Sequence, residues 1–568
     1  MDDVDAVQAQ IARNMLDSGD WVTARLDGVA YLEKSPLKYW LIAISYKIFG
    51  VHDWVARLPV SLSAIILCWL AFRMGAWAFS ARAGMYAGLS LATCVGLFLF
   101  TRFQIPEAAL AATIALAMWS FLRAIDREEP RPALWAAIMA AAIGTGLLLK
   151  GLIAAVFPAA AALIFLAITR QIGSRETWRR LHPFRGILIV LTIAAPWHIL
   201  ATIRNPPYFD FTLHSEPGQY RGFFWFYFFN EHILRFLNLR YPRDYNTVPR
   251  VYFWIFTLLW LFPWSVYFPA IFKLSFRPVD RAGRMRLLCL CWAGFLLTFF
   301  TFSSTQEYYS LPCYAALALL IGSVVADPSV KLRPFLRGGR IALGVIASAC
   351  ALAIGWILTQ VWSIPAPGDI SRALIQQPIE NYTLSLGHMG DLTLASFAYL
   401  RTPLVLAGAA FLIGALLTLR GRAAGAVIMM VLFVHAARMA LVVFDPYLAS
   451  RPLAEALNHA TRGTLILDNP YYEFSSVVFY AEAYHGKRVL ILNGRVNNLE
   501  YGSYAPDAPR DIFIDDAGFR ERWLSPDLYY ICVEQPKVES LRDLVGGETL
   551  HQVIESGGKF VFANRPTG

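Results

Sequence analysis

The sequence predicts a polytopic α-helical membrane protein that ends in a small α/β domain. Three observations support this prediction. Of the 568 residues, 57% are hydrophobic and only 16% are charged, whereas a soluble domain has about 25% charged residues. Apolar segments of spanning length follow one another from residue 58 to residue 445. After residue 445 the composition changes to short β-branched and aromatic runs between polar stretches.

About twelve apolar segments have the length and composition of membrane-spanning helices. They lie near 58–78, 82–100, 106–124, 133–149, 152–169, 186–203, 250–272, 287–303, 308–326, 341–362, 402–419 and 424–444. Short basic loops, such as RQIGSRETWRRLHPFR (170–185) and KLRPFLRGGR (331–340), fall on alternate sides of this count. Lys and Arg in short loops mark the cytoplasmic side. The net charge of +10 therefore reflects membrane topology, and no nucleic acid is expected as a partner.

The same alternation assigns residues 1–57, 204–249, 363–400 and everything after 445 to the outer face. An N-terminus outside the cytoplasm needs a preceding helix, and neither a signal peptide nor a spanning helix occurs before residue 58. We therefore expect one more helix upstream of Met1, for a total of about thirteen.

Three domains are predicted. Residues 1–57 form an extracytoplasmic catalytic loop with interfacial helices, and residues 58–445 form a transmembrane domain that includes the outer loop 204–249. Residues 446–568, with the runs TLILD, RVLILN, DIFID and LYYICV, form the α/β domain. Cys532 is the only cysteine of that domain, so no disulfide is implied there.

Two outer segments are predicted to be helices that lie on the membrane. Val4, Val7, Ile11 and Met15 recur at helical spacing between Val4 and Asp17. Residues 222–238, GFFWFYFFNEHILRFLN, are rich in aromatic residues and too polar to span. The two helices are expected to frame a site for a lipid head group.

Ionisable side chains collect in the outer loops and in the stretches TRFQIPEAAL (101–110) and STQEYYSLP (304–312) at helix ends. Charges this close to hydrocarbon usually have a function. The candidates are Asp3, Asp5, Tyr31, Glu33, Lys34, Arg102, Glu107, Glu231, His232, Arg235 and Tyr309. A carboxylate can act as a general base, and Lys or Arg can bind a phosphate. Simpler roles remain open: an N-cap for Asp3 or Asp5, an exposed ion pair for Glu33 with Lys34, and interfacial positions for His232 and Tyr309.

The stretch SGDWVTARLDGVAYLEKSPLKYW (18–40) closely resembles the first outer loop of bacterial aminoarabinose (lipid A) transferases. EHILRF (231–236) and YYSLP (308–312) match the same proteins in the expected order. These transferases belong, with the protein O-mannosyltransferases, to the GT-C superfamily. The resemblance implies a GT-C-like fold in the bacterial inner membrane. It also implies a glycosyltransferase that moves a sugar from a polyprenyl-phosphate donor to a lipid (lipid A-like) or other envelope acceptor at the periplasmic face.

The resemblance also implies which carboxylates are catalytic. The family has a catalytic aspartate in the first outer loop and a second acidic residue in the next, which Glu107 matches. Gapless alignment sets the family's Asp-Glu pair at Val4 and Asp5. The base is therefore Asp5 or Asp3, with Asp5 favoured.

Donor and acceptor contacts follow from the same motifs. Lys34, Arg235 and Tyr309 match residues that contact the donor phosphate, and Arg102 is expected beside them. Glu33 and His232 match positions near the acceptor or a divalent metal ion, with Tyr31 and Glu231 in the same vicinity. TQEYY (305–309) replaces the family's KLPTY, so one basic group is absent and Glu307 is new. This difference points to another sugar or acceptor.

A single displacement at the sugar would invert the anomeric carbon, and a monomer working among membrane lipids is expected. The nearest alternative is a protein O-glycosyltransferase, which takes a protein acceptor. A transporter or flippase predicts ionisable residues at the bilayer midplane and internal repeats, and neither is evident. A scaffold that displays the C-terminal domain predicts that the outer charges are dispensable.

Overall fold

The computed structural model describes residues 1–242, 248–303, 305–327, 329–375, 386–422 and 424–566. Within these residues nine helices are long and apolar enough to cross a membrane, and a bent pair would make ten. The nine are Asp53–Ala78, Glu107–Ala124, Pro132–Lys150, Arg175–Arg204, Arg281–Phe302, Glu307–Val325, Arg333–Val361, Arg401–Leu419 and Ala424–Leu448. The polytopic architecture is confirmed, whereas this number is smaller than the predicted count.

One predicted span is divided where tertiary contacts replace a helical turn. Segment 82–100 forms two helices, Ala81–Ala92 and Val95–Phe100. Between them the Val95 N–H donates to the Phe262 carbonyl at 3.1 Å. The Trp264 indole donates to Thr93 Oγ1 at 2.9 Å. These contacts replace hydrogen bonds of the helix, so the segment does not form one continuous helix.

Two other predicted spans are bent or short. Segment 250–272 bends by 95° between Arg250–Trp260 and Trp264–Ile271. Pro263 lies at the bend, where it supplies no N–H and restricts the residue before it. Helix Ile153–Ile168 has 16 residues, fewer than the roughly 20 that a straight span needs.

The N-terminal segment begins with helix α1 (Asp3–Ser18), followed by the hairpin β1 (Arg25–Leu26) and β2 (Val29–Ala30) and by helix α2 (Leu37–Phe49). The Asp2 carboxylate caps α1 by accepting a hydrogen bond from Asp5 N at 2.9 Å. The proposed capping role of Asp3 or Asp5 is therefore wrong. Most of α1 is buried, because it packs between α2 and the C-terminal domain.

The C-terminal domain contains a mixed six-stranded sheet in the order β5-β4-β3-β6-β8-β7. The strands are β3 (Thr464–Asp468), β4 (Leu490–Leu492), β5 (Phe513–Ile514), β6 (Tyr529–Glu534), β7 (His551–Ser556) and β8 (Lys559–Ala563). Strands β5, β4, β3 and β6 are parallel, and β8 and β7 are antiparallel to their neighbours. The accompanying helices are Arg451–His459, Ser475–Tyr480, Asn497–Ser503, Asp516–Trp523 and Val538–Val545. The predicted small α/β domain is confirmed.

The sheet joins two hydrophobic cores. Leu465 and Leu467 of β3 pack into a core shared with α1, whereas Ile466 packs with Phe519 and Trp523. A parallel strand that is apolar on both faces is typical of this arrangement. The N-terminal segment is thereby fixed against the C-terminal domain, and the charged residues of α1 and α2 lie where both meet the helix bundle.

The basic loops meet at the other end of the bundle. Arg180 donates to the carbonyl oxygens of Ala124 and Asp126, and Arg281 pairs with Asp126 at 3.1 Å and Glu128 at 2.6 Å. Helix Glu107–Ala124 begins beside α1, where Gln104 N donates to Asp5, and runs to this basic end.

Candidate active site

A cluster of buried charges joins the segment before α2 to the π-helix Trp225–Leu234 and the residues after it. Arg240 Nη2 lies 2.7 Å from Glu33 Oε2, and Lys34 Nζ lies 3.1 Å from Glu33 Oε1. Arg240 also pairs with Glu231, whose other oxygen lies 2.7 Å from Arg235 Nη1. Two carboxylates therefore hold three cations in fixed positions.

Two side chains of this cluster, Glu231 and Lys34, keep their charges at neutral pH. Burial raises the pKa of Glu231, but Arg240 and then Arg235 outweigh it and lower that pKa to about 2. Burial disfavours the charge of Lys34, but the adjoining Glu33 carboxylate outweighs this effect and raises the pKa of Lys34. Glu231 consequently serves as a counter-ion rather than a base, and Lys34 remains a cation available to an anion.

The cluster extends to the helix ends through Tyr309. Arg235 Nη2 donates to the Tyr309 hydroxyl at 3.1 Å, and Lys150 Nζ lies 4.7 Å from the centre of the Tyr309 ring. The structure thus brings together Lys34, Arg235 and Tyr309 as predicted from the sequence, and adds Lys150. In the sequence Lys150 marks only a turn between two apolar runs, although a lysine there is a signal of function.

Glu107 is the first residue of its helix and is 2% exposed. One carboxylate oxygen pairs with Lys150, and the other, Oε2, has no hydrogen-bond partner among the described residues. A buried carboxylate with a free oxygen can accept a proton from a substrate. The ion pair of Glu107 and Lys150 therefore lies beside Tyr309 and Arg235.

Asp5 lies on α1 and is 1% exposed. Its Oδ1 accepts a hydrogen bond from Gln104 N at 2.7 Å, and its Oδ2 lies 2.6 Å from Arg57 Nη2. Burial and the nearby Asp2 raise the pKa of Asp5 to about 7, against the opposing charge of Arg57. A carboxylate with this pKa exchanges protons near neutral pH, as a general base must.

Asp3 points away from Asp5 and binds the C-terminal domain. Its carboxylate lies 2.7 Å from Lys559 Nζ and accepts hydrogen bonds from Ser450 Oγ and Ser476 N, both at 2.8 Å. Val4, where alignment puts the family's aspartate, is 55% exposed. The structure thus separates the two aspartates that the sequence left as alternatives.

Both ring nitrogens of His232 contact backbone atoms. Nδ1 lies 2.6 Å from the Tyr227 carbonyl, and Nε2 accepts a hydrogen bond from Leu152 N at 3.1 Å. Burial lowers the pKa of His232, so the ring is neutral. No hydrogen bond or ion pair joins His232 to Glu33.

The residues named for a divalent ion do not fit one. The nitrogen of His232 that would bind the ion accepts a backbone hydrogen bond instead, and Glu33 is held by cations. In the ranges that the structure describes, no three His, Cys, Asp or Glu side chains converge to hold a metal ion. We therefore derive no step through a metal.

Of two further predicted residues, Tyr31 borders this cluster, whereas Arg102 lies with Arg57 and Asp5 rather than beside the predicted donor-phosphate residues. The Tyr31 hydroxyl donates to Glu33 at 2.9 Å and accepts a hydrogen bond from Asn498 of the C-terminal domain at 2.9 Å. The Arg102 guanidinium lies 5.9 Å from the centre of the Phe103 ring, and the Arg102 carbonyl accepts a hydrogen bond from Arg57. Tyr31 therefore connects the site to the C-terminal domain, and Arg102 lies beside Asp5.

An apolar cavity of about 240 Å³ lies beside Glu307, the acidic residue that departs from the family pattern. Its other lining residues are Val95, Phe256, Leu259, Trp260, Phe262 and Leu386. Glu307 is 2% exposed, so its carboxyl group is buried at the wall of this cavity.

The architecture of this chain matches that of a membrane protein of known structure. It superimposes on the crystal structure of ArnT from Cupriavidus metallidurans bound to undecaprenyl phosphate with a TM-score of 0.76, at 22% identity over 99% of this chain and 93% of that chain. The apo state of the same protein gives a TM-score of 0.75. The fold is therefore the polytopic GT-C-like fold with a small C-terminal sheet domain.

Sequence comparisons identify more specific relatives. The family model of dolichyl-phosphate-mannose-protein mannosyltransferases matches residues 33–200. An undecaprenyl phosphate-α-4-amino-4-deoxy-L-arabinose arabinosyl transferase of Sodalis glossinidius is 29% identical over 352 residues, which are 61% of this chain and 58% of that protein. One from Pseudomonas fluorescens is 29% identical over 363 residues, or 61% of this chain and 57% of that protein. The chain thus matches somewhat more than half the length of these relatives, and its resemblance to aminoarabinose transferases of the GT-C class is confirmed.

Proposed function

We propose that this protein is an integral membrane glycosyltransferase that takes a sugar from a polyprenyl-phosphate donor. The acceptor is a lipid, similar to lipid A, or another envelope molecule. The observation that carries the proposal is the cluster of Lys34, Arg235, Tyr309 and Lys150 at helix ends, with carboxylates beside it. Fixed cations stabilise the phosphate that leaves with the lipid. The relatives are named for the same donor class.

The reaction is a single displacement that inverts the anomeric carbon. A carboxylate takes the proton of the acceptor hydroxyl, whose oxygen attacks the anomeric carbon. The bond from that carbon to the phosphate oxygen breaks, and its electron pair leaves with the polyprenyl phosphate. Asp5 is proposed as the base because it is a buried carboxylate of the first outer segment, near Lys38 of the site, and because burial raises its pKa to about 7. Glu107 is the second carboxylate, and Asp3 is assigned a positioning role through Lys559.

Periplasmic placement of the site is supported by the loops at the other end of the bundle. Arg180 and Arg281 lie there, and basic loops stay in the cytoplasm. The charged cluster lies at the first and last residues of spanning helices, as Glu107 and Lys150 show. A transporter would instead place such groups near the bilayer midplane.

A protein O-glycosyltransferase is the second candidate. The match of residues 33–200 to the protein mannosyltransferase family favours it, and it would use the same cations and base. The two candidates differ in the acceptor alone. A lipid acceptor and an unstructured Ser/Thr-rich peptide, supplied in parallel, distinguish them.

The test is sugar transfer by the full chain in proteoliposomes that contain a radiolabelled polyprenyl-phosphate sugar. Asp5→Asn should lower the transfer rate by about 100-fold or more while donor binding persists, because a general base contributes about 10²–10⁴. Asp3→Asn should retain transfer in the folded fraction, and Glu107→Gln tests the competing base. A wild-type protein that binds no donor and labels neither lipid nor peptide acceptors would overturn the proposal.

A further inference from the structure

Lys38 is a buried amine in the first turn of α2, four residues after Lys34. Its side chain is 6% exposed, and Nζ donates to Gln8 Oε1 on α1 at 2.6 Å. The Tyr39 hydroxyl donates to the same oxygen at 3.0 Å, and the Tyr39 ring centre lies 4.6 Å from Nζ. An ammonium group has three donors, so the bond to Gln8 leaves two for another partner.

No carboxylate among the described residues pairs with Lys38. The carboxylates whose charges act on it are each held by other cations: Asp5 by Arg57, Glu107 by Lys150, and Glu33 by Arg240 and Lys34. Burying an ammonium without a counter-ion is unfavourable, and such a residue at a membrane site usually binds a ligand. The charges of three carboxylates therefore act on the Lys38 amine, but each carboxylate is paired with another cation. Lys38 donates its hydrogen bond to Gln8 instead.

We propose that Lys38 is a further phosphate-binding residue of the site, and that a phosphate oxygen of a substrate is its counter-ion. This inference rests on the proposed function, since a polyprenyl-phosphate donor carries a phosphate. A phosphorylated lipid acceptor would offer the same chemistry. Both sources present an anionic oxygen to two unused N–H donors, which makes a charge-assisted hydrogen bond.

The pH dependence of binding should show this role. Burial and then the charge of Lys34 lower the pKa of Lys38 to about 7, while Glu107, Glu33 and Asp5 oppose the change. A bound phosphate favours the charged amine and raises its pKa. Once the phosphate monoester carries both charges, above about pH 6, its affinity for Lys38 therefore falls as the pH rises through about 7, by at most about tenfold per pH unit. Arginine keeps its charge throughout this range.

The experiment measures binding of polyprenyl phosphate, without sugar, to the full chain in nanodiscs from about pH 6 to about pH 9. The variants are Lys38→Gln, Lys38→Arg and, as a matched control, Lys47→Gln, which changes an exposed lysine of the same helix. Lys38→Gln should weaken binding about 10- to 100-fold near pH 6.5, the usual effect of a hydrogen bond to a charged group. Lys38→Arg should retain affinity and lose the fall above pH 7, and Lys47→Gln should behave as wild type.

A second arm uses vesicles that carry phosphatidic acid, a lipid with a phosphate monoester. Weakened binding of polyprenyl phosphate alone assigns Lys38 to the donor, and weakened binding of the vesicles alone assigns it to the acceptor. Unchanged affinity and pH dependence in Lys38→Gln would overturn the inference and leave the proposed function intact. If that variant does not fold, a Lys38→Arg protein with the wild-type pH profile overturns it instead. A wild-type protein that binds neither probe overturns the proposed function and the inference with it.

Discussion

Replacing Asp3 by asparagine should loosen the C-terminal domain from α1. The carboxylate lies 2.7 Å from Lys559 Nζ, and the two side chains are 5% and 6% exposed. Water therefore does not screen this ion pair. Removing one partner of a buried pair costs about 3–5 kcal/mol, because the other charge stays buried without compensation.

The structure indicates the lower end of that range. Lys559 would still donate to the Glu473 carbonyl at 2.7 Å and to Ser450 Oγ at 3.2 Å. The expected loss is thus about 3 kcal/mol. Because both charges are lost together in Asp3→Asn with Lys559→Met, the double variant should be destabilised by less than the sum of the two single changes.

The assay is denaturant unfolding of the full chain in detergent, with limited proteolysis to follow release of the C-terminal domain. Asp17→Asn is the matched control on the same helix. Asp17 is 45% exposed and pairs with His485 at 2.9 Å, so its loss should cost at most about 1 kcal/mol. If Asp3→Asn were no more destabilising than Asp17→Asn, or if it abolished sugar transfer without loosening the domain, the positioning role of Asp3 would be refuted.

Further predictions concern the reaction. The rate of sugar transfer at saturating donor should rise with pH below about 7 and level off above it, because Asp5 acts only when deprotonated. A rate that is flat between about pH 5 and about pH 7 would exclude Asp5 as the base. Lys34→Gln should weaken polyprenyl-phosphate binding about 10- to 100-fold in a filter-binding assay, since Lys34 remains charged beside Glu33; an unchanged Kd would remove Lys34 from the donor site. A chelator should change neither the transfer rate nor the unfolding midpoint, because both nitrogens of His232 contact the backbone. A loss of transfer activity that one divalent ion restores would contradict this interpretation of the site.

Much of the fold follows from local patterns in the sequence. Runs of apolar residues predict helices such as Glu107–Ala124 and Pro132–Lys150 to within about two residues. The break after Ala92 was missed because residues distant in sequence, Phe262 and Trp264, supply the hydrogen bonds there. The bend at Pro263 was missed as well, although its cause, the proline, is local.

The site was predictable only in part. The motif around Glu33 and Lys34 and the residues Arg235 and Tyr309 are visible in the sequence, and the structure brings them into one network. Four cations of the site, Arg57, Lys38, Lys150 and Arg240, were not identified as site residues. Each contacts a group far away along the chain, as Lys150 does with Glu107, and hydropathy reports nothing about such pairs.

The sequence by itself determined that this is a membrane protein of many helices, with an α/β domain at its end and motifs of a GT-C transferase. Only the tertiary structure decided what Asp3 and Asp5 contact. The two residues lie on one helix two positions apart, so a helix rotates their side chains by about 200° relative to each other. One therefore meets Lys559 of the C-terminal domain and the other meets Arg57. Periodicity is a local property of the chain, whereas the partner of a buried charge depends on which distant segment packs against it.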